Sequence, residues 1–364
     1  MRVAGIMSGT SLDGIDVAVV DIRGRRWELV AASTTPYPEP VREAILSVSN
    51  ATTHTASIAR LHFLLGELYA EAAARFTGIE LVGCHGQTIF HESTPAWFAG
   101  RKVRSTLQIG EASMIAERLG VPVVSDFRPR DIAAGGTGAP LVPYVDYFLF
   151  RHPSRRRAAL NIGGIANITY IPAKARPEEV IAFDTGPGNM VVDALASIVT
   201  KGRWKFDKNG KIARRGRLNP ALLARLLRDD FLQQKPPKSA GREQYGREFV
   251  EKLLRTKLPV EDLIATATAF TAAAAAQSIE RFTGPVDDLI VSGGGAHNPM
   301  MMAYLAALLP GTNVTTSAAF GVDIDVKEAI AFAILAYETW RRRPSNMPSA
   351  TGAKHPVILG KITF

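Results

Sequence analysis

The stretch AALNIGGIANITYIP, Ala158–Pro172, holds an apolar run, a Gly-Gly pair and a second apolar run. Runs of this length bounded by glycine read as two buried strands joined by a tight turn. The chain opens on the same plan. RVAGIM (Arg2–Met7) leads into SGTSLDG (Ser8–Gly14), and IDVAVVDI (Ile15–Ile22) then alternates like a sheet strand. The likeness is one of layout and not of letters, so it predicts two related lobes with a cleft between them and not a sequence repeat.

Working outward, strands alternate with helical patterns, which argues for α/β architecture. RWELVAAST (Arg26–Thr34) reads as a third strand of the first meander. ASIARLHFLLGELYAEAAARF (Ala56–Phe76) carries apolar residues at helical spacing, and IELVGCHGQTIF (Ile79–Phe90) is a buried strand ending in a loop. ASMIAERL (Ala112–Leu119) is a helix closed by Gly120 at C′. VPVVSDF (Val121–Phe127) is a strand leading into RPRDIAAGGTGAP (Arg128–Pro140), read as a loop. Later helices open at Asn219-Pro220 and at Asn298-Pro299, each pair an N-cap followed by proline at N1. A last helix covers DVKEAIAFAILAYETW (Asp325–Trp340).

A chain of 364 residues exceeds what one core usually serves, so two lobes are the default. Hydrophobic residues at 46% and charged residues at 21% give ample core material. A single cysteine, Cys84, excludes an intrachain disulfide and suits a reducing cytoplasm. The N-terminus breaks into glycines before a signal-peptide core could form, and the Ala/Thr-rich segment ATATAFTAAAAAQSI (Ala265–Ile279) reads as a buried helix and not a membrane span. Part of the net charge of +9 is local: eight Lys or Arg against one Asp between Lys201 and Arg217, and four Arg in Arg151–Arg157. With only Trp204 and Phe206 as interleaved aromatics, this reads as a solvated basic stretch that attracts small anions, not as a nucleic-acid surface.

Four glycine-rich turns follow apolar strands: SGTSLDG, NIGGIAN (Asn161–Asn167), DTGPGN (Asp184–Asn189) and SGGGAHN (Ser292–Asn298). Glycine lets the backbone approach a ligand, and turn N–H groups can converge on phosphate oxygens. No P-loop motif occurs, and the kinase H-R-D and D-F-G set is absent. Phosphate bound by hairpin turns from two lobes is the arrangement of the actin, hexokinase and Hsp70 ATPases. Cys84-His85 followed by His91 matches no usual zinc spacing.

Eight segments in order carry a closer likeness: GIMSGTSLDGIDVAVVD, CHGQTIFH, TLQIGEASMIAE, DFRPRDIAAGGTGAPLVP, NIGGIANITYI, FDTGPGNMVVDA, VSGGGAHNPMMMAYLAALLPG and KEAIAFAILA. Together they resemble the anhydro-N-acetylmuramic acid kinases from Val3 to about Trp340. The less distinctive middle, roughly Lys201–Arg255, agrees only in length. The resemblance implies a two-lobed actin/hexokinase-like (ribonuclease H-like) ATPase fold with a central cleft. Residues 1–157 would form the N-terminal lobe and 158–364 the C-terminal lobe, with the last helix packing back toward the N-terminal one.

It also implies ATP and Mg²⁺ as cofactors, an amino sugar as substrate, a cytoplasmic homodimer, and no nucleic-acid or membrane partner. The implied reaction converts 1,6-anhydro-N-acetylmuramic acid and water to N-acetylmuramic acid 6-phosphate in cell-wall recycling. Gly9, Thr10, Ser11, Leu12, Asp13, Gly14, Ile15 and Asp16 would form the first phosphate loop, with Asp13 and Asp16 the Mg²⁺ candidates. Gly163, Gly164 and Asn167 would form the second loop, and Gly293, Gly294, Gly295 and Asn298 would face adenosine. Asp184 would be the general base that takes a proton from water; its alternative is a cap on the following helix, a place Asn189 suits better. The sugar site would draw on His85, Gln87, Thr88, Asp126, Arg128, Arg130, Asp131 and Glu328. Either Arg128 or Arg130 would meet the lactyl carboxylate. Two rivals stand beside this reading: a hexose kinase in which Asp184 deprotonates a sugar hydroxyl, and a non-enzymatic nucleotide-dependent protein.

Overall fold

A computed structural model describes residues 1–364 apart from Thr10, Ser11, Asp13 and Arg25, and apart from the side chain of Arg242. The chain divides into two units, Met1–Phe148 with Val326–Phe364, and Leu149–Asp325. The first crossing comes earlier than the expected residue 157, and the C-terminal 39 residues (326–364), whose helix was expected to pack back toward the N-terminal lobe, belong to the first unit.

The strands are β1 (Arg2–Ser8), β2 (Gly14–Arg23), β3 (Arg26–Pro36), β4 (Leu81–Phe98), β5 (Arg101–Ile109) and β6 (Val123–Ser125) in the first unit. The second holds β7 (Arg157–Ile162), β8 (Ile165–Ile171), β9 (Ile181–Pro187), β10 (Asp288–Ser292) and β11 (Asn313–Thr316), and β12 (Lys361–Thr363) returns to the first. The first sheet runs β12-β6-β4-β1-β2-β3, with β5 added to β4, and the second runs β11-β10-β7-β8-β9. β1–β3 are an antiparallel meander, with β4 parallel to β1 and β6 parallel to β4. β7–β9 repeat the meander, with β10 parallel to β7 and β11 parallel to β10. Three antiparallel strands extended by two parallel ones, in the same order twice, is the actin/hexokinase-like, ribonuclease H-like arrangement. The turns SGTSLDG and NIGGIAN hold equivalent places in it, each joining the first two strands of its unit.

Burial follows position in the sheet. Central β1 and β10 are buried almost throughout, whereas edge strand β3 alternates between half-buried and exposed. Parallel neighbours covered on both faces require continuous apolar runs, and a one-sided edge requires alternation.

The C-terminal helix Lys327–Trp340 explains why the chain end joins the first unit. A Cβ on Gly5 of β1 would lie 1.8 Å from the Ala329 carbonyl oxygen, and one on Gly83 of β4 would lie 2.1 Å from that of Phe332. The helix backbone therefore rests directly on two strand backbones, with Ala329, Ala333 and Ala336 fully buried. Small residues on both sides allow the approach, and dispersion contacts between close-packed backbones hold it. β12 then pairs antiparallel with β6 and closes the sheet edge.

In the second unit the helix Val260–Phe282 is buried from Leu263 to Ala276. Its Ala and Thr side chains are small enough for packing all round, and Thr266 and Thr268 donate their hydroxyls back to the carbonyls of Asp262 and Ile264. Among the described residues no helix is long and apolar enough to cross a membrane.

Two local readings change. Phe127–Ala133, read mostly as loop, is a helix entered through Asp126 at φ 53°. Pro129 is tolerated because it falls in the first turn, where backbone N–H groups have no intrahelical acceptor. The arginine cluster is not free to attract anions either. Arg156 pairs with Asp287 at 2.6 Å, and Arg155 and Arg157 grip Asp288 at 2.5 and 3.1 Å. Burial of Asp288 opposes its charge, but hydrogen bonds from Arg155, Asn313 and Arg157 prevail and bring its pKa to about 2.

Two outcomes test this packing. Gly83→Ala must push backbone against backbone, so urea denaturation should show a loss of about 3 kcal/mol or more. Asp288→Asn leaves two arginines without their shared partner and should cost roughly 3 kcal/mol at neutral pH. Because the folded-state pKa of Asp288 is depressed, its contribution is present above the ordinary aspartate value of about 4. It fades as pH falls toward about 2, so the gap between variant and wild type in denaturation midpoint should close over that window.

Candidate functional site

Chemistry-bearing residues gather in two places, one in each unit. In the second unit three glycine turns converge. The DTGPGN turn lies across the NIGGIAN turn: Gly188 N and Met190 N donate to the Gly164 carbonyl at 2.9 and 3.2 Å, and Asn189 N donates to that of Gly163 at 2.7 Å. A Cβ on Gly188 would stand 2.1 Å from the Gly163 oxygen. SGGGAHN joins from β10, where Gly293 at φ +77° would place a Cβ 2.7 Å from Asn161 Oδ1. A Cβ on Gly163 or Gly164 would meet nothing closer than 3.6 Å, so the side of that turn where a side chain would stand has room for a ligand.

Asn189 precedes the helix Met190–Val199 but does not cap it with its side chain. Its Nδ2 donates to the Ile162 carbonyl at 3.1 Å and ties two turns together instead. Asn298 does cap, accepting from Met300 N and Met301 N at 3.1 and 3.3 Å. Gly210 of the basic stretch packs against that same Asn298 side chain.

Asp184 sits in β9 opposite Asn167 of β8, and directly paired residues share a sheet face. Its Oδ2 accepts from Ala240 N at 2.8 Å and Ser239 Oγ at 3.0 Å. Oδ1 accepts no hydrogen bond among the described residues. Burial raises this carboxyl above the ordinary aspartate value, against the pull of Ala240, Ser239 and Lys238. It is a held, half-buried carboxylate with one oxygen unengaged, and it does not act as a helix cap.

In the first unit His85 is buried and its ring packs on Phe332, centroids 4.5 Å apart. Arg128 donates from Nε to His85 Nε2 at 3.1 Å and from a terminal nitrogen to the Gly138 carbonyl at 2.8 Å. Arginine has no acceptor, so Nε2 must carry the lone pair and Nδ1 the proton. Burial, then Arg128, holds this imidazole well below its ordinary pKa, so it is neutral at pH 7. Burial also pushes Arg128 down to about 10, opposed by the charge of Glu328. Glu328, in the first turn of the C-terminal helix, is accessible to water. The protein packed around its carboxyl nevertheless raises its pKa, with Arg128 and Lys327 opposing and Asp16 adding to the rise. Asp16 accepts from Thr34 Oγ1 at 2.6 Å. An arginine, two acids and a neutral imidazole thus influence one another in one region of the first unit.

Several other expected site residues are turned toward the protein. Gln87 is buried and accepts from Ser8 Oγ at 2.5 Å, and Ser8 also accepts from Tyr37. Thr88 accepts from Gln108 at 3.2 Å. Asp131 is fully buried and accepts from Gly138 N, Asn346 and Thr351, each at 2.8 Å, tying the GGTG loop to the chain end. Asp126 pairs with Lys361 at 2.8 Å. Arg130 is exposed, whereas Arg128 is half-buried beside His85. Gly9, Leu12, Gly14 and Ile15 flank the first turn, where Leu12 N donates to the Gly9 carbonyl at 3.2 Å; Leu12 and Ile15 are buried. Thr10, Ser11 and Asp13 lie outside the described residues. Cys84 is buried, which pushes its thiol up to about 12, and no metal-holding group of three or more His, Cys, Asp or Glu occurs among the described residues.

Sequence reasoning missed the segment Lys238–Ala240, whose groups hold Asp184 Oδ2. A buried lysine in a Pro- and Lys-rich stretch, QQKPPKSAG, reads as surface loop from composition. Only the fold brings it beside β9.

Comparison with known proteins gives the family. The sequence model of one family, described as "Anhydro-N-acetylmuramic acid kinase", matches residues 1–364. A protein of that name from Caldanaerobacter subterraneus subsp. tengcongensis is 47% identical over 382 aligned residues, covering 100% of this chain and 96% of the relative. One from Bacillus cereus (strain ATCC 10987 / NRS 248) is 43% identical over 386 residues, covering 100% and 99%. One from Salinibacter ruber is 43% identical over 382 residues, covering 99% and 96%. The chain belongs to the anhydro-N-acetylmuramic acid kinase family, and its activity is that of a sugar-kinase phosphotransferase.

Proposed function

We propose that the chain uses ATP and water to convert 1,6-anhydro-N-acetylmuramic acid to N-acetylmuramic acid 6-phosphate, with Asp184 as the base for both halves of the reaction. The observation that carries this is the Asp184 carboxylate, with Oδ2 clamped and Oδ1 unengaged. Asp184 accepts a proton from water as the water oxygen bonds to the anomeric carbon of the sugar. The bond from that carbon to the bridging oxygen breaks, and the electron pair leaves on O6. O6 then bonds to the γ-phosphorus as the bond to the ADP oxygen breaks. A carboxyl raised above its ordinary value is a stronger base than a free aspartate, and proton transfer of this kind contributes about 10²–10⁴ in rate.

The glycine turns at Gly163-Gly164 and Gly293–Gly295 supply backbone N–H groups suited to phosphate oxygens, whose charge spreads over the transferred group. The donor chemistry at Asp16 is oxygen only, which fits a hard cation. With Asp13 it would hold Mg²⁺, and the ion would neutralise phosphate charge there. On the sugar side, Arg128 is assigned the lactyl carboxylate, with buried His85 holding its guanidinium and Glu328 offered to sugar polar groups. The working protein is taken to be a cytoplasmic homodimer, as the family resemblance implies.

Incubation with Mg²⁺, ATP and the anhydro sugar in ¹⁸O-labelled water should place label at C1 of the product. Unlabelled product would favour simple transfer to a sugar hydroxyl. Asp184→Asn should lower kcat by about 10³. It should also raise the melting temperature, because an aspartate whose folded pKa is raised costs stability once pH exceeds its unfolded value of about 4. A fully active Asn variant would remove the base assignment.

The two arginines should separate cleanly. Arg128→Ala should raise KM for the sugar by roughly 10–100-fold, as expected for a lost charge-assisted pair worth about 1.5–3 kcal/mol. Arg130→Ala should leave it close to wild type, and equal effects would undo the choice of Arg128.

A further inference from the structure

Lys238 belongs to no motif and is buried in the second unit, only 8% exposed. Its ammonium donates to the carbonyls of Phe231 and Leu232 at 3.1 and 3.2 Å. It stands 5.8, 4.8 and 4.9 Å from the ring centroids of Phe183, Phe231 and Phe282. Among the described residues no carboxylate pairs with it. A cation is costly to bury this way unless ring faces and carbonyl dipoles replace its water shell. A surface lysine has no need of such a cage.

Its position on the chain gives the cage a consequence. The Lys238 carbonyl accepts from Asp184 N at 3.1 Å. The next two residues, Ser239 and Ala240, supply both donors on Asp184 Oδ2. Phe183, one wall of the cage, immediately precedes Asp184. The ammonium therefore pins from below the short segment that holds the carboxylate from the side.

We propose that Lys238 is a positioning residue for phosphoryl transfer: its caged ammonium anchors the Lys238–Ala240 segment, which turns the Asp184 carboxylate so that Oδ1 faces the reacting water. This rests on Asp184 being the base. The charged groups facing the ammonium are Arg281 on the helix Val260–Phe282, Asp184 on β9, and Asp229. Burial and Arg281 bring the amine down to about 8, against Asp184 and Asp229. The cation in turn favours the ionised form of Asp184.

The test is steady-state kinetics across pH, with melting temperatures, for wild type, Lys238→Met, Lys238→Arg, Ser239→Ala and Asp184→Asn. Lys238→Met keeps the volume and loses the charge. Its kcat should fall about tenfold or more, as for a slightly misplaced reacting group, while KM for ATP holds. The acid limb of its kcat profile should move to higher pH, because the charge favouring the carboxylate is gone. Lys238→Arg should return that limb toward wild type. Ser239→Ala should move the limb in the same upward direction, since it deletes one donor to Oδ2.

An unmoved acid limb in Lys238→Met overturns the proposal even if kcat falls, since that would mark a merely structural lysine. Should Lys238→Met not fold, the limb in Ser239→Ala decides in its place. Asp184→Asn keeps the two readings apart. If it turns over near wild type, the base assignment fails. If it is inactive while Lys238→Met and Ser239→Ala behave as wild type, the base stands and the positioning role is wrong.

Discussion

The contact on which the first unit depends is backbone against backbone: the helix Lys327–Trp340 lies on β1 and β4 where Gly5 and Gly83 leave no side chain. That closeness puts Phe332 against His85 and sets Glu328 within electrostatic reach of Arg128 and Asp16. It also explains why a segment more than two hundred residues downstream completes a sheet begun at Arg2. Any Cβ at those glycines would move the helix by more than an ångström, and the acid and the imidazole would move with it.

The second unit uses the same device on a smaller scale. Gly188 lets the DTGPGN turn cross NIGGIAN with its N–H groups bonded to the carbonyls of Gly163 and Gly164. Turns spent on one another are rigid, and rigid turns are what a phosphate cradle needs if its donors are to be aligned before the ligand arrives. Asp184 lies within β9, just ahead of this crossing. Its carboxylate is held by a loop and not by the turns, so the proposed base and the proposed phosphate cradle are positioned by separate elements.

Much of the architecture was legible in local pattern. The strand–turn–strand restart at Ala158, the caps at Asn219 and Asn298, and the left-handed Gly120 are short-range features, and all appear as read. The helix at Phe127–Ala133 was not, because its Arg-Pro-Arg opening looks like loop unless proline is known to fall in the first turn. The basic run at Arg155–Arg157 was not either. Its partners Asp287 and Asp288 lie about 130 residues away, and only the parallel pairing of β7 with β10 brings them alongside.

What the sequence determined by itself is the order of elements, the glycine turns and the family, since these rest on residues near one another or on motifs read in order. What tertiary structure decided is which polar groups are spent and which remain available. Asp131 and Gln87 carry the same chemistry as Asp184 and Asn167, yet their side chains are consumed in buried networks. Lys238, unremarkable in the sequence, becomes a caged cation beneath the carboxylate. Hydrogen-bond satisfaction is a property of neighbours in space, and neighbours more than a few turns apart in the chain are assigned only when the sheets close.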